Sequence, residues 1–209
     1  MNSSHRFSTP VAEVKHHFSR RDPVIHEALS SVNFDEWFGV NDKTDHFFNL
    51  AREIIYQQLS GKAASTIWGR VTNLVGKVTP ENILAFEDKE FRAVGVSWSK
   101  AKYIKDLAAK TLSGEVVLTH LSELTDEAVI EELTKVKGIG RWTAEMFLIF
   151  TLSRENVFSL GDLGLKKGIA KLYGIDEPSP DQILSIISPW SPYKSYGAIA
   201  LWNYLDNTP

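Results

Sequence analysis

The stretch "KVKGIGRWTAEMFLIF", residues 135–150, sets two glycines two positions apart between segments with helical spacing of apolar residues. Gly138 and Gly140 lack a Cβ atom, so the chain can turn there with positive φ and another backbone can approach closely. The helix that follows would present its unpaired amide groups to an anion such as phosphate. The basic residues beside the turn are Lys135, Lys137 and Arg141. A glycine-capped turn that merely joins two packed helices explains the same residues.

Apolar residues recur at three- and four-residue steps along most of the remaining chain, which is typical of helices. We expect an all-α protein without internal repeats. Helices are predicted at about 45–59, 62–75, 88–94, 99–112, 126–136, 141–152, 163–173, 181–187 and 193–205, with a further helix start at Thr79-Pro80-Glu81. Residues 113–120 are interpreted as a connector rather than a strand.

Composition excludes several kinds of chemistry. The chain of 209 residues contains no cysteine, which excludes disulfides, thiolate zinc sites, iron–sulfur clusters and a cysteine nucleophile. The six histidines show no metal-ligand spacing: His5, His16, His17, His26, His46 and His120. No apolar run reaches the length of about 20 residues that spans a membrane, and the first ten residues lack a signal-peptide stretch. We therefore expect a cytoplasmic protein, at the nucleoid, or a nuclear one if its source has a nucleus.

The formal net charge of −3 argues mildly against binding nucleic acid through bulk electrostatics. The basic residues are nevertheless clustered, and the three clusters are Lys100, Lys102, Lys105 and Lys110, then Lys135, Lys137 and Arg141, then Lys166, Lys167 and Lys171. These clusters either line one binding face or form ordinary solvated helix faces.

A second motif, "VFSLGDLGLKKG" at residues 157–168, places one acid, Asp162, between an apolar run and a glycine. Aspartate is a favoured N-cap for a helix at 163–173, and capping alone explains its presence. "LTKVKGIGRWTAEMF" with "VFSLGDLGLKKG" about twenty residues later resembles the helix-hairpin-helix, Gly/Pro-rich, aspartate (HhH-GPD) superfamily of DNA glycosylases. The 3-methyladenine DNA glycosylase II branch is the most similar part of it.

Further blocks extend this resemblance over roughly residues 45–205. They are "IIYQQLSGKAASTIWGRV" at 54–71, "GVSWSKAKYIKDLA" at 95–108 and "PWSPYKSYGAIALW" at 189–202. Several ordered blocks are more specific than one Gly-x-Gly turn. The resemblance implies a monofunctional hydrolase that flips an alkylated purine out of duplex DNA and cuts its N-glycosidic bond, leaving an abasic site in base excision repair.

The catalytic aspartate of the family matches Asp162, which would stabilise the oxocarbenium-like sugar and help to steer or deprotonate the attacking water. Gly161 stands where a second aspartate is common, a departure that concerns only the local polarity. Members that also nick DNA carry a lysine directly after the Gly-x-Gly-Arg turn, where this chain has Trp142. The resemblance therefore implies an enzyme without lyase activity, because a Schiff base needs an amine.

Substrate contacts are also implied by the resemblance. Trp142 would wall the base pocket, although a tryptophan on a helix is more often a packing residue. Trp202 matches an aromatic residue that stacks on the flipped base, and Met146 replaces an aromatic residue of some relatives. The ring face of tryptophan attracts the positive charge of an N-alkylated purine.

The remaining family contacts concern the DNA strand. "YQQLS" matches the loop that fills the gap left by the flipped base, with Gln58 the first choice for the plug and Leu59 the second; a polar helix end explains these residues equally well in isolation. The sugar-phosphate backbone of DNA would be bound by the turn residues Lys137, Gly138, Gly140 and Arg141. No organic cofactor or catalytic metal is implied, but a structural Na⁺ or K⁺ could bind the main-chain carbonyls of Thr134, Val136 and Ile139.

The expected architecture is one glycosylase unit of two helical lobes with the active-site cleft between them. Lobe one is predicted at about 45–125, and lobe two at 1–44 plus 126–209 with the helix-hairpin-helix at 126–152. The expected partner is double-stranded DNA with damaged bases, no membrane is involved, and the protein is expected to be a monomer. Two alternatives are a hairpin module that binds DNA without cutting it and an all-α interaction protein; the presence of Asp162, Trp142 and Trp202 argues against the first.

Overall fold

The computed structural model describes residues 7–37 and 45–207. Within these ranges the regular structure is helical, without strands. The α-helices are α1 Val11–Arg21, α2 Pro23–Ser30, α3 Phe34–Trp37, α4 His46–Tyr56, α5 Gly61–Val75, α6 Pro80–Leu84, α7 Asp88–Ala93, α8 Trp98–Ser113, α9 Asp126–Thr134, α10 Arg141–Phe150, α11 Leu163–Tyr173, α12 Pro180–Ile187 and α13 Lys194–Asn207. In the part of the chain so described, no helix is long and apolar enough to cross a membrane.

Short-range capping explains where many of these helices begin. Ser60, Thr79, Ser97 and Thr125 each accept a hydrogen bond from the backbone amide three residues ahead, which pairs one of the amides that a helix start leaves unsatisfied. Ser179 forms a reciprocal capping box with Gln182. These caps are local in sequence, which is why the predicted starts lie within about two residues of the observed ones.

The chain divides into two compact units. Unit 1 comprises Met1–Val40 and Leu148–Pro209, and unit 2 comprises Asn41–Phe147. Unit 1 has α13 at its centre, packed against α2 and α11, and its core includes the fully buried Phe18, Trp190 and Tyr196. In unit 2, α8 packs against α4, α6 and α7, around the buried Leu50, Phe91 and Ile104.

This division differs from the predicted lobes, because residues 126–147 of the hairpin belong with residues 45–125. The physical reason is a set of contacts from the hairpin to α4 and α8. The side-chain amide of Gln57 donates to the carbonyl of Gly138, and the ammonium of Lys110 donates to the carbonyl of Lys135. The predicted lobe segments at 1–6, 38–44 and 208–209 lie outside the described residues.

The predicted helix at 45–59 is three residues too long at its C-terminal end. Helix α4 ends at Tyr56, since Gln57 leaves helical geometry and Gln58 has a positive φ of 57°. The ammonium group of Lys100 on α8 donates to the carbonyls of Ile55 and Gln57, which satisfies the exposed end of the helix.

Three N-terminal helices, α1 to α3, were not predicted. Helix α1 buries only Val14 and Phe18 among its eleven residues, so its apolar stripe is thin. Its end is fixed by Asp22, whose carboxylate caps α2 and also accepts hydrogen bonds from Tyr173 and Trp190. Burial, together with this hydrogen bond to Asp22, raises the pKa of Tyr173 well above its usual range. The N-terminal segment is thus part of the core of unit 1.

Candidate active site

The hairpin between α9 and α10 uses its two glycines differently. Gly138 has a φ of +84°, and a Cβ added to it would lie 2.1 Å from the ring of Tyr103. Only glycine fits this position. A Cβ added to Gly140 would meet no atom of the described residues within 4 Å, its two chain neighbours aside. The positive φ expected for the turn is therefore a property of Gly138, while Gly140 leaves space for a group from outside the protein.

Contacts from α4 and α8 hold the hairpin in place. The Nε2 atom of Gln57 donates to the carbonyl of Gly138 at 2.9 Å and to the Oγ1 atom of Thr143 at 3.2 Å. The backbone amide of Lys137 donates to Asp106 on α8 at 2.8 Å. The turn is therefore tied to its own unit on two sides.

The predicted phosphate ligands Lys137 and Arg141 are exposed, but each is paired with an acid. Arg141 binds the carboxylates of Glu127 and Glu145, and these contacts raise the pKa of Arg141, with the Glu127 hydrogen bond as the largest cause. The ammonium of Lys137 lies 3.8 Å from the carboxylate of Asp106. A DNA phosphate would have to compete with these internal partners.

The first basic cluster is largely occupied inside unit 2. Lys100 caps α4, and burial lowers its pKa. Lys105 pairs with Asp88 at 3.1 Å, and Lys110 pairs with Glu115 at 3.0 Å. These three lysines therefore have partners inside unit 2, and they form neither an open binding face nor ordinary solvated helix faces.

The three carbonyls assigned to a cation lie at the C-terminal end of α9 and in the turn. Thr134 is the last residue of α9, and the carbonyl of Val136 accepts the amide of Ile139 at 3.1 Å. Carbonyl oxygens near the negative end of a helix dipole suit a hard monovalent cation, so the donor set fits the implied ion. Bound Na⁺ or K⁺ would supply positive charge for a DNA phosphate at the turn.

Four of the predicted DNA-contacting residues line one cavity of unit 2, here called the Trp142 cavity, with a volume of about 210 Å³. Trp142 is 45% exposed on the first turn of α10, whereas Met146 is buried one turn later. Gln58 and Leu59 form part of the wall and are exposed. The full lining is Glu53, Tyr56, Gln57, Gln58, Leu59, Trp142, Thr143 and Met146. The cavity is smaller than the roughly 300–1,000 Å³ of typical ligand pockets.

Asp162 is the N-cap of α11 in unit 1 and is 8% exposed. Its Oδ1 atom accepts the amide of Leu165 at 2.7 Å and the indole N–H of Trp202 at 3.2 Å. The capping role foreseen for this residue is therefore real. A helix cap does not need the second hydrogen bond, which comes from the indole of Trp202 on α13. This bond holds the carboxylate from another direction.

Trp202 has aromatic neighbours that the sequence did not reveal. Its ring stacks on Trp37 with centroids 6.1 Å apart and planes 20° apart, and Phe150 lies 5.8 Å away. Trp37 precedes the segment covered by the family resemblance, and its helix has only four residues, so no local signal pointed to it. Trp202 is thus part of an aromatic cluster within unit 1.

Glycines control the space around Asp162. A Cβ at Gly164 would lie 3.0 Å from the Oδ1 atom of Asp162 and 3.3 Å from the ring of Trp202. A Cβ at Gly161, where relatives often carry an acid, would meet no atom within 4 Å. The contact between the carboxylate and the indole therefore depends on the absence of a side chain at position 164.

A larger depression of about 520 Å³ lies elsewhere in unit 1, between α1 and Tyr193. It is lined by Glu13, His16, His17, Arg20, Arg21 and Tyr193. None of the predicted site residues contributes to it.

Comparisons with known proteins identify the family. Residues 51–192 match the model of the HhH-GPD superfamily base excision DNA repair proteins. The chain is 31% identical over 207 residues to the putative DNA-3-methyladenine glycosylase YfjP of Bacillus subtilis, covering 94% of this chain and 70% of that protein.

Two solved structures are also similar. The DNA-3-methyladenine glycosidase of Bacillus halodurans has a TM-score of 0.76 at 34% identity, with 96% of this chain and 91% of that chain covered. The 3-methyladenine DNA glycosylase Mag1 of Schizosaccharomyces pombe, in complex with abasic DNA, has a TM-score of 0.79 at 30% identity, with 93% and 97% covered. Because the superfamily model matches more than half of its residues, the chain belongs to the HhH-GPD superfamily of base excision DNA repair proteins.

Proposed function

We propose that this protein is a monofunctional DNA glycosylase that excises alkylated purines of the 3-methyladenine type from duplex DNA and leaves an abasic site. Membership of the superfamily supports DNA glycosylase activity. The names of the relatives, DNA-3-methyladenine glycosylases, support the substrate class. The protein is proposed to act as a monomer, in the cytoplasm at the nucleoid or in a nucleus.

The observation that carries the proposal is the hydrogen bond between Asp162 and Trp202. A nearly buried carboxylate fixed by a helix amide and an indole cannot swing away, so it is preorganised to stabilise positive charge. As the glycosidic bond breaks, that charge grows on the sugar. The proposed role of Asp162 is to stabilise this positive charge on the sugar. It would also steer the water that adds to the sugar carbon.

The Trp142 cavity is assigned to the extruded base. A base inside the duplex stack cannot be reached, and it must be rotated out at a cost of a few kcal/mol. A cationic purine against the ring of Trp142 would gain about 0.5–2 kcal/mol, more than a neutral undamaged base. The exposed Gln58, held at positive φ beside the cavity, is the proposed plug for the gap in the duplex, with Leu59 as the second choice.

Absence of lyase activity is inferred from Trp142. The residue after Gly138-Ile139-Gly140-Arg141 has no amine and cannot form a Schiff base with the sugar. Treatment with borohydride during the reaction should therefore trap no covalent complex with DNA.

The proposal is tested with Asp162→Asn on a duplex that contains 7-methylguanine. Asparagine caps a helix about as well as aspartate, so the thermal melting temperature should stay close to that of the parent. Excision should fall by at least 100-fold because the charge is gone. An unchanged rate would disprove the role of Asp162, and a parent that binds the duplex but releases no base would instead be a non-catalytic binding module.

A further inference from the structure

The Trp142 cavity contains a carboxyl group that the proposed mechanism does not use. Glu53 lies on α4, one turn before the Gln57-Gln58 loop, and it lines the cavity together with Trp142 and Met146. Its neighbours in the lining are aromatic, aliphatic or amide side chains and a threonine hydroxyl. An acid is therefore in position to touch whatever base enters.

The surroundings of Glu53 favour its uncharged form. Burial raises the pKa of its carboxyl group, and the charge of the adjacent Arg52 offsets this only in part. The guanidinium of Arg52 lies over the ring of Tyr56, 4.8 Å from its centroid. The carboxyl group therefore keeps its proton to a higher pH than a solvated glutamate does.

Charged groups on the neighbouring helices are engaged elsewhere or exposed. Lys100 of α8 is bound to the carbonyls of Ile55 and Gln57, and Arg141 of α10 is paired with Glu127 and Glu145. On α5, the charged residues Lys62 and Arg70 are exposed.

Damaged purines fall into two chemical classes with different needs. A base such as 7-methylguanine already carries a positive charge and leaves as a neutral molecule when the bond to the sugar breaks. Hypoxanthine and ethenoadenine are neutral in DNA, and they would leave as anions unless a proton is supplied. A protonated carboxyl group beside the base meets this second need.

We propose that Glu53 is a general acid for neutral damaged purines, so that the same cavity serves both classes of base; this rests on the proposed glycosylase function. The carboxyl group gives its proton to a ring nitrogen of the base as the bond between that base and the sugar breaks. The bonding electron pair leaves with the base, which departs neutral. Water adds to the sugar carbon, the proton that this water loses passes to solvent, and the Glu53 carboxylate recovers a proton from solvent.

The test measures single-turnover excision of 7-methylguanine and of hypoxanthine from otherwise identical duplexes, with the parent and with Glu53→Gln. Glutamine keeps the shape of the side chain but has no acidic proton. The ratio of the hypoxanthine rate to the 7-methylguanine rate should fall by about 100-fold, the lower end of what general acid catalysis contributes. Glu27→Gln, an exposed acid on α2, is the control and should leave the ratio unchanged.

A second measurement needs no substitution. In the parent, the ratio should fall as the pH rises through the raised pKa of Glu53, because only the protonated acid can act. If Glu53→Gln lowers both rates equally, if the ratio does not depend on pH, or if the parent excises 7-methylguanine but no neutral purine, the role of Glu53 is wrong. A parent that excises neither base would overturn the glycosylase function itself.

Discussion

The indole nitrogen of Trp202 donates a hydrogen bond to the Oδ1 atom of Asp162, so a residue of α13 orients the acid that begins α11. The same oxygen accepts the amide of Leu165. The acid is therefore held both by its own helix and by a side chain forty positions away in the sequence.

We expect Trp202→Phe to slow excision more than it weakens the fold. Phenylalanine keeps an aromatic ring beside Trp37 and Phe150 but cannot donate to Asp162. A hydrogen bond to a charged group contributes about 1.5–3 kcal/mol, which corresponds to a loss of roughly 10- to 100-fold in the single-turnover rate. If the free energy of unfolding fell by as much as the activation free energy of excision rose, Trp202 would have a packing role only.

Gly164→Ala should lower activity without lowering stability. The added Cβ would lie 3.0 Å from Asp162 Oδ1 and would press on Trp202. Alanine within a helix is favoured over glycine by about 1 kcal/mol, so the melting temperature should not drop. Gly161→Ala is the matched control, because its Cβ meets no atom within 4 Å; excision by that variant should equal the parent rate.

Substitutions at the two hairpin glycines should have different effects, one mainly on folding and the other mainly on DNA binding. Gly138→Ala should destabilise unit 2 by about 3 kcal/mol, through positive φ and the clash with Tyr103. Gly140→Ala should lower the denaturation midpoint much less than Gly138→Ala, since it costs only the preference for glycine over alanine at the N-cap of α10. It should weaken binding to duplex DNA, measured by fluorescence anisotropy. Undiminished binding by Gly140→Ala would show that nothing approaches the turn at that position.

Glu127→Gln should tighten DNA binding. The side-chain hydrogen bond from Arg141 lowers the pKa of Glu127, so this acid is ionised and paired at neutral pH. Removing its charge leaves Glu145 as the acid paired with Arg141 and so weakens the internal competition for a phosphate. The affinity for DNA should rise about two- to fivefold at low salt, and the difference from the parent should vanish as salt is added. Glu131→Gln, at an exposed position of the same helix, removes a charge without touching this pair. If it has the same effect, the change reflects net charge alone.

Glu155 should contribute stability that disappears in acid. Burial alone would raise the pKa of its carboxyl group, but hydrogen bonds from Thr9 and Ser8 outweigh burial and lower it. Because the folded pKa lies below the unfolded value of 4.5, this stability is complete above that value and is lost as the pH falls through the folded pKa. Glu155→Gln should cost about 2 kcal/mol at pH 7 in urea denaturation, with the difference from the parent shrinking below pH 4.5; a difference independent of pH would contradict this account.

Much of the fold could be predicted because helix boundaries depend on neighbours in the sequence. The segments at 62–75, 99–112 and 163–173 match α5, α8 and α11 closely, since caps such as Ser97 act within three residues. The helix α1 was missed because its thin apolar stripe gives a weak periodic signal. The hairpin was predicted to belong with the C-terminal lobe, whereas residues up to Phe147 group with unit 2. The sequence did not indicate this, because the partners of the hairpin on α4 and α8 are distant in sequence.

The candidate site was predictable to a smaller extent. Family motifs indicated Asp162, Trp142 and Trp202, and the roles of these residues in excision remain predictions. Glu53 and Trp37 were not found from the sequence. An acid on an amphipathic helix is usually a solvated residue, and only packing shows that this one borders a cavity.

Most of the helices, their caps and the glycine turn follow from the order of residues along the chain, because each depends on interactions between residues within about four positions of one another. Three contacts arise only when distant segments pack: Tyr103 lies under Gly138, Gln57 ties the turn to α4, and the indole of Trp202 orients Asp162. The hydrophobic effect is non-directional, so it does not specify which distant residues come into contact. Those contacts are fixed only when the helices pack closely against one another.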